Sequence, residues 1–362
     1  IEQRVVHGVG VRYNASNARP IYHGSGPAGI RPPMTSHPYD ALTPEVILDA
    51  VETFGVRATG ALLALNSYEN RVYRVDTEAD GLLVVKFYRP HRWPEAAILE
   101  EHAFALMLAE HEIPVVAPLV HAGKTLHHHA GFRFAVFPWR RGRAPELNTA
   151  DDRKLLGRFL GRLHRLGAAE AFHQRPALSV VEFGEHAVAH LLHSHFIPEE
   201  LVPSFKAISE LLLPRLREAF ELTEFRPIRL HGDCHLGNIL WDNTGPFFVD
   251  FDDCLTGPAI QDLWMLLSGE RAEMERQLAE VLSGYTEFME FSAAELPLIE
   301  PLRTLRMLHY NAWLAKRWDD PAFPHAFPWF AGRRYWEEQI LSLRQQAALL
   351  DEPPLAWERR YG

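Results

Sequence analysis

The chain becomes periodic at Thr43. Val46, Ile47, Ala50, Val51 and Phe54 recur on one face at helical spacing, with Thr43 in the N-cap place, Pro44 at the first helical position and Gly55 at the stop. Three strand-like runs follow at 61–65, 72–76 and 82–88, the last two joined by the polar turn Glu78-Ala79-Asp80-Gly81. A helix is expected over about 94–110, then two more strand-like runs at 119–121 and 132–137. His127, His128 and His129 lie between these and read as an exposed turn, because three adjacent histidines on a strand cannot all face one metal. Past Trp139 the period turns helical. The segment 149–166 opens on a Thr149/Asp152 box-like start and stops at Gly167, and Gly157 and Gly161, four apart, predict close approach to a neighbouring element. A looser helical pattern fills 170–228, including 198–220, and clearer ones fill 261–289, 294–317 and 333–350. With 362 residues the chain is long enough for two lobes or domains.

Chemistry enters between those helical regions. The stretch His231-Gly232-Asp233-Cys234-His235-Leu236-Gly237-Asn238 precedes two short apolar runs, Ile239-Leu240-Trp241 and Phe247-Phe248-Val249, which flank an Asn/Gly turn. That is the signature of a β-hairpin. Asp233 and Asn238 stand just before its first strand and Asp250 just after its second, so folding the hairpin gathers all three at one edge. Each alone reads equally well as a turn former. Together they are what phosphoryl transfer from ATP requires: Asn238 and Asp250 can give a hard Mg²⁺ ion its oxygen ligands, and Asp233 is left unliganded to orient an acceptor hydroxyl and take its proton. Lys86 adds to the set. It interrupts an apolar strand, where a charge must find a partner, shift its pKa or face outward.

These motifs, with Gly257-Pro258-Ala259-Ile260-Gln261-Asp262-Leu263 after them, resemble the aminoglycoside-phosphotransferase and choline-kinase branch of the protein-kinase-like fold. Within that branch the chain looks most like a bacterial serine/threonine protein kinase of the stress response. The stretches Leu65-Asn66-Ser67-Tyr68-Glu69-Asn70-Arg71-Val72-Tyr73 and Val84-Val85-Lys86-Phe87-Tyr88-Arg89-Pro90 carry the same resemblance, which extends from about Pro44 to the C-terminus. It implies an α+β, bilobal protein-kinase-like fold, with a small β-rich N-lobe over 38–138 and a larger, mainly helical C-lobe over 139–362. It also implies ATP and Mg²⁺ as cofactors, Lys86 on the α/β-phosphates, and Glu101 pairing with Lys86, Glu100 being the substitute. Ser67 would donate from a loop over the phosphates, a loop that lacks the glycines of protein kinases. The segment around Phe134-Ala135-Val136-Phe137-Pro138-Trp139 would be the hinge at the adenine. Asp233 and Asp250 would be catalytic, Asn238 and Asp250 metal ligands, His231 and Asp262 supports, and Asp252 and Asp253 either ligands of a second ion or solvated. The implied acceptor is a protein serine or threonine. A small-molecule hydroxyl of the aminoglycoside, choline or homoserine kind is the alternative, and a His/Asp metal-dependent hydrolase is the rival from another class.

Composition narrows the partners. With 37 basic and 47 acidic side chains the net charge is −10, which argues against a general nucleic-acid or anionic-membrane binder. No apolar run is long enough to span a membrane. Cys234 and Cys254 are too few for a disulfide framework, so a reduced, cytoplasmic compartment is expected; a monomer is expected separately. Residues 1–37 show neither period and are expected to be an extension outside the fold, with Met34 a candidate initiator. Arg140, Arg141 and Arg143 read as a solvated loop or a contact for an acidic protein substrate. His164 reads as a buried structural histidine, and the Pro/aromatic run 318–330 as a packed loop. Finally, Gly232 occupies the place of the arginine that meets an activation-loop phosphate, and Thr256 is the only hydroxyl between Asp250 and Asp262. An order-on-phosphorylation switch therefore has no parts.

Overall fold

Thr43 caps the first helix, α1 (Pro44–Thr53), its hydroxyl accepting from the Val46 N–H at 3.4 Å. The buried side of α1, Ile47, Ala50 and Val51, lies against one face of a sheet together with Phe54. The computed structural model describes residues 37–357. The expected extension over 1–37 thus lies outside the described residues, apart from His37. The sheet comprises β1 (Ala58–Ala64), β2 (Arg71–Thr77), β3 (Leu82–Phe87), β4 (His127–His129) and β5 (Phe132–Pro138), antiparallel throughout in the order β1-β2-β3-β5-β4. Alternation then sorts the residues of β3. Leu83, Val85 and Phe87 join the core under α1, whereas Lys86, paired in register with Ala135, shares the opposite face. That face is covered by α2 (Glu95–Glu110), whose Ile98 packs with Ala135, Tyr88 and Leu126.

Two expectations change here. The three histidines are not a turn but β4 itself, paired from His127↔Phe134 to His129↔Phe132, and the turn falls at Ala130 and Gly131, both at positive φ. The run 119–121 is not a regular strand, because His121 and Lys124 exchange backbone hydrogen bonds at 2.9 and 3.0 Å across a glycine turn.

The second lobe starts with α3 (Ala150–Gly167), opened by the Thr149/Asp152 capping box. It continues through α4 (His186–His193), α5 (Val202–Leu222), β6 (Ile228–Leu230), β7 (Ile239–Asp242), β8 (Gly245–Phe248), β9 (Leu255–Gly257), α6 (Ile260–Trp264), α7 (Arg271–Tyr285), α8 (Ile299–Arg317), α9 (Ala322–Ala326) and α10 (Arg333–Leu349). Gly157 and Gly161 bring α3 to the backbone of α7: a Cβ on Gly157 would lie 1.9 Å from the Val281 carbonyl oxygen, and one on Gly161 2.4 Å from that of Tyr285. The expected continuous helix over 261–289 is two, α6 and α7, separated by a turn that contains Gly269 at φ 90°. β6 and β9, three residues each, pair with one another and were too short to show a period. One core forms around α3, α7 and the β7–β8 hairpin, and a second among α4, α5, α8 and α10. The run 318–330 is packed, with Phe323 and Phe330 fully buried. Among the described residues no helix is long and apolar enough to cross a membrane.

Candidate active site

The hairpin fixes the positions of its ends. Ile239 pairs with Phe248, and the Val249 N–H donates to the Asn238 carbonyl at 3.0 Å, so Asn238 and Asp250 leave the hairpin on the same side. Asp250 takes the left-handed conformation, φ 62° and ψ 68°, which turns the chain sharply as β8 ends and starts a short 3₁₀ turn over Phe251–Asp253. The loop before the hairpin hangs on Asp262. Its two carboxylate oxygens accept from the His231 and Gly232 N–H groups at 2.8 and 2.9 Å, and one also meets His164 Nε2 at 3.1 Å. His164, wholly buried and contacting the Tyr285 hydroxyl at 3.0 Å, is a structural histidine. His231 Nε2 donates to the Val249 carbonyl at 2.9 Å, which ties the loop to the far strand. Gly232 is required twice over: φ is +83°, and a Cβ would lie 2.2 Å from the Asp253 carbonyl oxygen.

Opposite the hairpin end stands Lys86. Its Nζ lies 3.0 Å from Asp250 Oδ1, 3.3 Å from Asp252 Oδ1 and 3.6 Å from Glu101 Oε1. Burial works to lower its pKa, but the charges of Asp250 and Glu101 outweigh this and hold it above the ordinary lysine value, so it stays a cation. Glu101 reaches it because it lies one helical step from Ile98, on the covered face of α2. Glu100 points elsewhere and accepts the backbone N–H groups of His173, Gln174 and Arg175 at 2.6 to 2.8 Å. Asp252 is buried, not solvated: it accepts from Asn70 Nδ2 at 2.9 Å and pairs with Arg92, which also holds the exposed Asp253 at 2.5 Å.

The 66–70 loop is clamped to the second lobe. Glu69 accepts from Arg89 and Arg317 at 3.0 Å and from Trp313 Nε1 at 2.5 Å, while Tyr68 packs on Phe323 and Phe327. Just beyond it, Arg71, Arg89 and His37 converge on the buried Asp320 at 2.8, 2.6 and 2.9 Å. Ser67 makes no hydrogen bond among the described residues. Arg71, Arg89, Arg92 and Asp320 were missed in the sequence, since nothing local marks a pair formed between the lobes.

Asp233 is not free, as expected, but ion-paired. Arg306 of α8 donates from Nη1 to Oδ1 at 2.5 Å, and Oδ2 lies 3.4 Å from His235 Nε2. Burial would raise the Asp233 pKa, yet Arg306 and His235 hold it well below the usual carboxylate range. The Asn238 amide nitrogen donates to the Asp233 carbonyl at 2.9 Å, which leaves its side-chain oxygen available to a cation. Asp250 is likewise kept ionised: the cleft walls push its pKa up, and the charge and hydrogen bond of Lys86 bring it below normal. The donors at the hairpin end are therefore hard oxygens, as a magnesium ion needs, and among the described residues no group of three or more His, Cys, Asp and Glu could hold a metal.

Comparisons with known proteins agree with this layout. Stress response kinase A of Escherichia coli (strain K12) is 47% identical over 318 residues, 88% of this chain and 96% of that protein. Serine/threonine protein kinase RdoA of Salmonella typhimurium (strain LT2) is 46% identical over 317 residues, with the same two coverages, 88% and 96%. Among solved structures, a microcompartment-associated aminopropanol kinase superposes with a TM-score of 0.61 at 19% identity, covering 84% of this chain and 96% of that one. Amicoumacin kinase hAmiN in complex with AMP-PNP, Ca²⁺ and Ami gives 0.59 at 22% identity, over 77% and 88%. At such identities these two structures share the fold, a five-stranded antiparallel sheet followed by a mainly helical lobe. The sequence profile of the phosphotransferase enzyme family matches residues 62–297, from within β1 to the approach to α8; by that match, and by the extent of its identity with the two bacterial kinases, the chain belongs to this family.

Proposed function

We propose that the chain transfers the γ-phosphoryl group of ATP to serine or threonine hydroxyls of a protein, with Mg²⁺ as the metal. The observation that carries this reading is the meeting of the hairpin end with β3: Asp250, Asp252 and Glu101 surround one buried lysine beside Asn238 and Asp233. The two bacterial relatives, one of them named as a serine/threonine protein kinase, support the choice of a protein acceptor. Lys86 binds the α/β-phosphates and Glu101 holds it there; Asn238 and Asp250 hold the metal. Bound Mg²⁺ would neutralise charge on the β- and γ-phosphate oxygens. Ser67 is the candidate donor from the loop above the phosphates. As the acceptor oxygen bonds to phosphorus, the bond from phosphorus to the β–γ bridging oxygen breaks, its electron pair leaves with ADP, and the hydroxyl proton passes to Asp233. A general base of this kind contributes about 10² to 10⁴ in rate.

The test offers protein and small-molecule acceptors side by side and identifies phosphorylated products by mass spectrometry. Phosphoserine or phosphothreonine on protein is expected, formed about 10² to 10⁴ times more slowly with Asp233→Ala although Mg-ATP still binds in calorimetric titration. With Asp250→Ala the magnesium dependence of nucleotide affinity should vanish. Turnover on small molecules alone would overturn the choice of acceptor, and wild-type turnover by Asp233→Ala would overturn its role.

A further inference from the structure

The contact between Arg306 and Asp233 is unlike the other arginine contacts around the site. Arg89 and Arg175 are buried and each spends both Nε and Nη2 on hydrogen bonds, Arg89 to Glu69 and Asp320, Arg175 to the Cys254 and Asp252 carbonyls. Arg306 is 41% exposed and uses Nη1 alone. Its Nε and Nη2 carry no hydrogen bond among the described residues. Its neighbours on α8 differ too: Arg303 is taken by Glu300 at 3.2 Å and lies on the Trp264 ring, and Arg317 is taken by Glu69. The position is also telling. Oδ2 of Asp233 faces His235 and Asn238 Nδ2 at 3.4 and 3.3 Å, so an incoming hydroxyl is left with Oδ1, the oxygen that Arg306 covers.

We propose that Arg306 selects the acceptor by its charge: it recognises an acidic side chain next to the hydroxyl to be phosphorylated, and in turning to that group it uncovers Asp233 Oδ1 for the hydroxyl. This rests on the protein-acceptor reading above. The guanidinium fork suits a carboxylate, since two parallel N–H donors meet its two oxygens, and Arg306 has the free nitrogens to offer them. A neutral acceptor provides no such partner and must compete with the existing ion pair. A cationic acceptor meets like charge as well. Arg306 is thus a specificity residue, and its effect belongs in KM for the acceptor more than in the chemical step.

The experiment uses the full chain and three matched serine peptides with Asp, Asn or Lys beside the serine, assayed at saturating Mg-ATP. For the wild type kcat/KM should favour the Asp peptide over the Asn peptide by about tenfold or more, through KM, and the Lys peptide should be poorest. With Arg306→Gln that ratio should fall to near one; with Arg306→Lys, which keeps the charge without the fork, part of it should return. Thermal denaturation and Mg-ATP titration of each variant establish that it is folded. An unchanged ratio in a folded, ATP-binding Arg306→Gln enzyme, or a wild type indifferent to peptide charge, overturns the assignment. Failure of the wild type on all three peptides, with protein substrates equally untouched, is a different result: it overturns the protein-acceptor reading and this inference with it.

Discussion

Arg89 donates to Asp320 at 2.6 Å across 231 residues of sequence, joining the end of the small lobe's β3 to the segment between α8 and α9. Arg71 and His37 share the same buried carboxylate. Removing it strips the half-buried Arg71 of its counter-charge and leaves the buried Arg89 with Glu69 alone, and breaking such a pair typically costs about 3–5 kcal/mol. Asp320→Ala should lower stability by that order in urea denaturation. A loss under about 1 kcal/mol would mean the cluster is solvated.

Glu100 and Glu101 are neighbours with separate tasks. Glu101→Ala removes a partner of Lys86 and should cut kcat/KM for ATP by about tenfold or more while folding is retained. Glu100→Ala strips the acceptor from three backbone N–H groups and should cost about 1–3 kcal/mol of stability, with little change in ATP affinity. Nucleotide titration and denaturation of both variants separate the roles; the reverse assignment of effects would show that the lysine's partner is misidentified.

In most helix interiors Gly→Ala stabilises by about 1 kcal/mol. Between α3 and α7 the sign should reverse, because the new Cβ at Gly157 or Gly161 would overlap a backbone carbonyl oxygen that no rotamer change can move. Gly161→Ala is expected to destabilise by about 1–3 kcal/mol, read as a lower Tm. A raised Tm would show that the helices can separate at little cost.

His102 lies behind Lys86, with Nε2 2.6 Å from the Tyr88 hydroxyl and Nδ1 2.8 Å from that of Thr125. Burial, helped by the charge of Lys86, lowers its pKa to about 3. The unfolded chain therefore binds a proton that the folded one refuses as pH falls below about 6.5. Stability from this site is complete above about pH 6.5 and declines progressively toward pH 3. His102→Asn should flatten that part of the curve of unfolding free energy against pH, and an identical slope in both proteins would exclude His102 as its source.

The backbone of Thr256 is already engaged, its N–H donating to the Pro176 carbonyl at 2.9 Å and its carbonyl accepting from the Leu178 N–H at 2.8 Å, while β9 pairs with β6 in register Arg229↔Thr256. Position 232 has no room for an arginine. Phosphatase-treated enzyme and Thr256→Ala should both keep near-normal initial rates at saturating ATP. A loss of about tenfold or more, restored by rephosphorylation, would reveal a switch in this segment.

What the sequence determined by itself is local. The α1 cap, the β7–β8 hairpin with Asp233, Asn238 and Asp250 at its ends, and the small residues of α3 each follow from spacings of a few residues, where backbone geometry leaves little choice. Chain length allowed for two lobes, and the resemblance to kinases added their kind and the pairing of Lys86, which no local rule contains. Tertiary structure alone decided the rest. The choice of Glu101 over Glu100 depends on which side of α2 meets the sheet. Three adjacent histidines became β4 because Phe132 to Phe134 offered them an edge. Arg306 reached Asp233, and Asp320 gathered Arg71 and Arg89, only because α8 and the segment after it fold back across the cleft. An ion pair carries no periodicity and leaves no mark on either stretch of chain, so its partners become known only when folding brings them within reach.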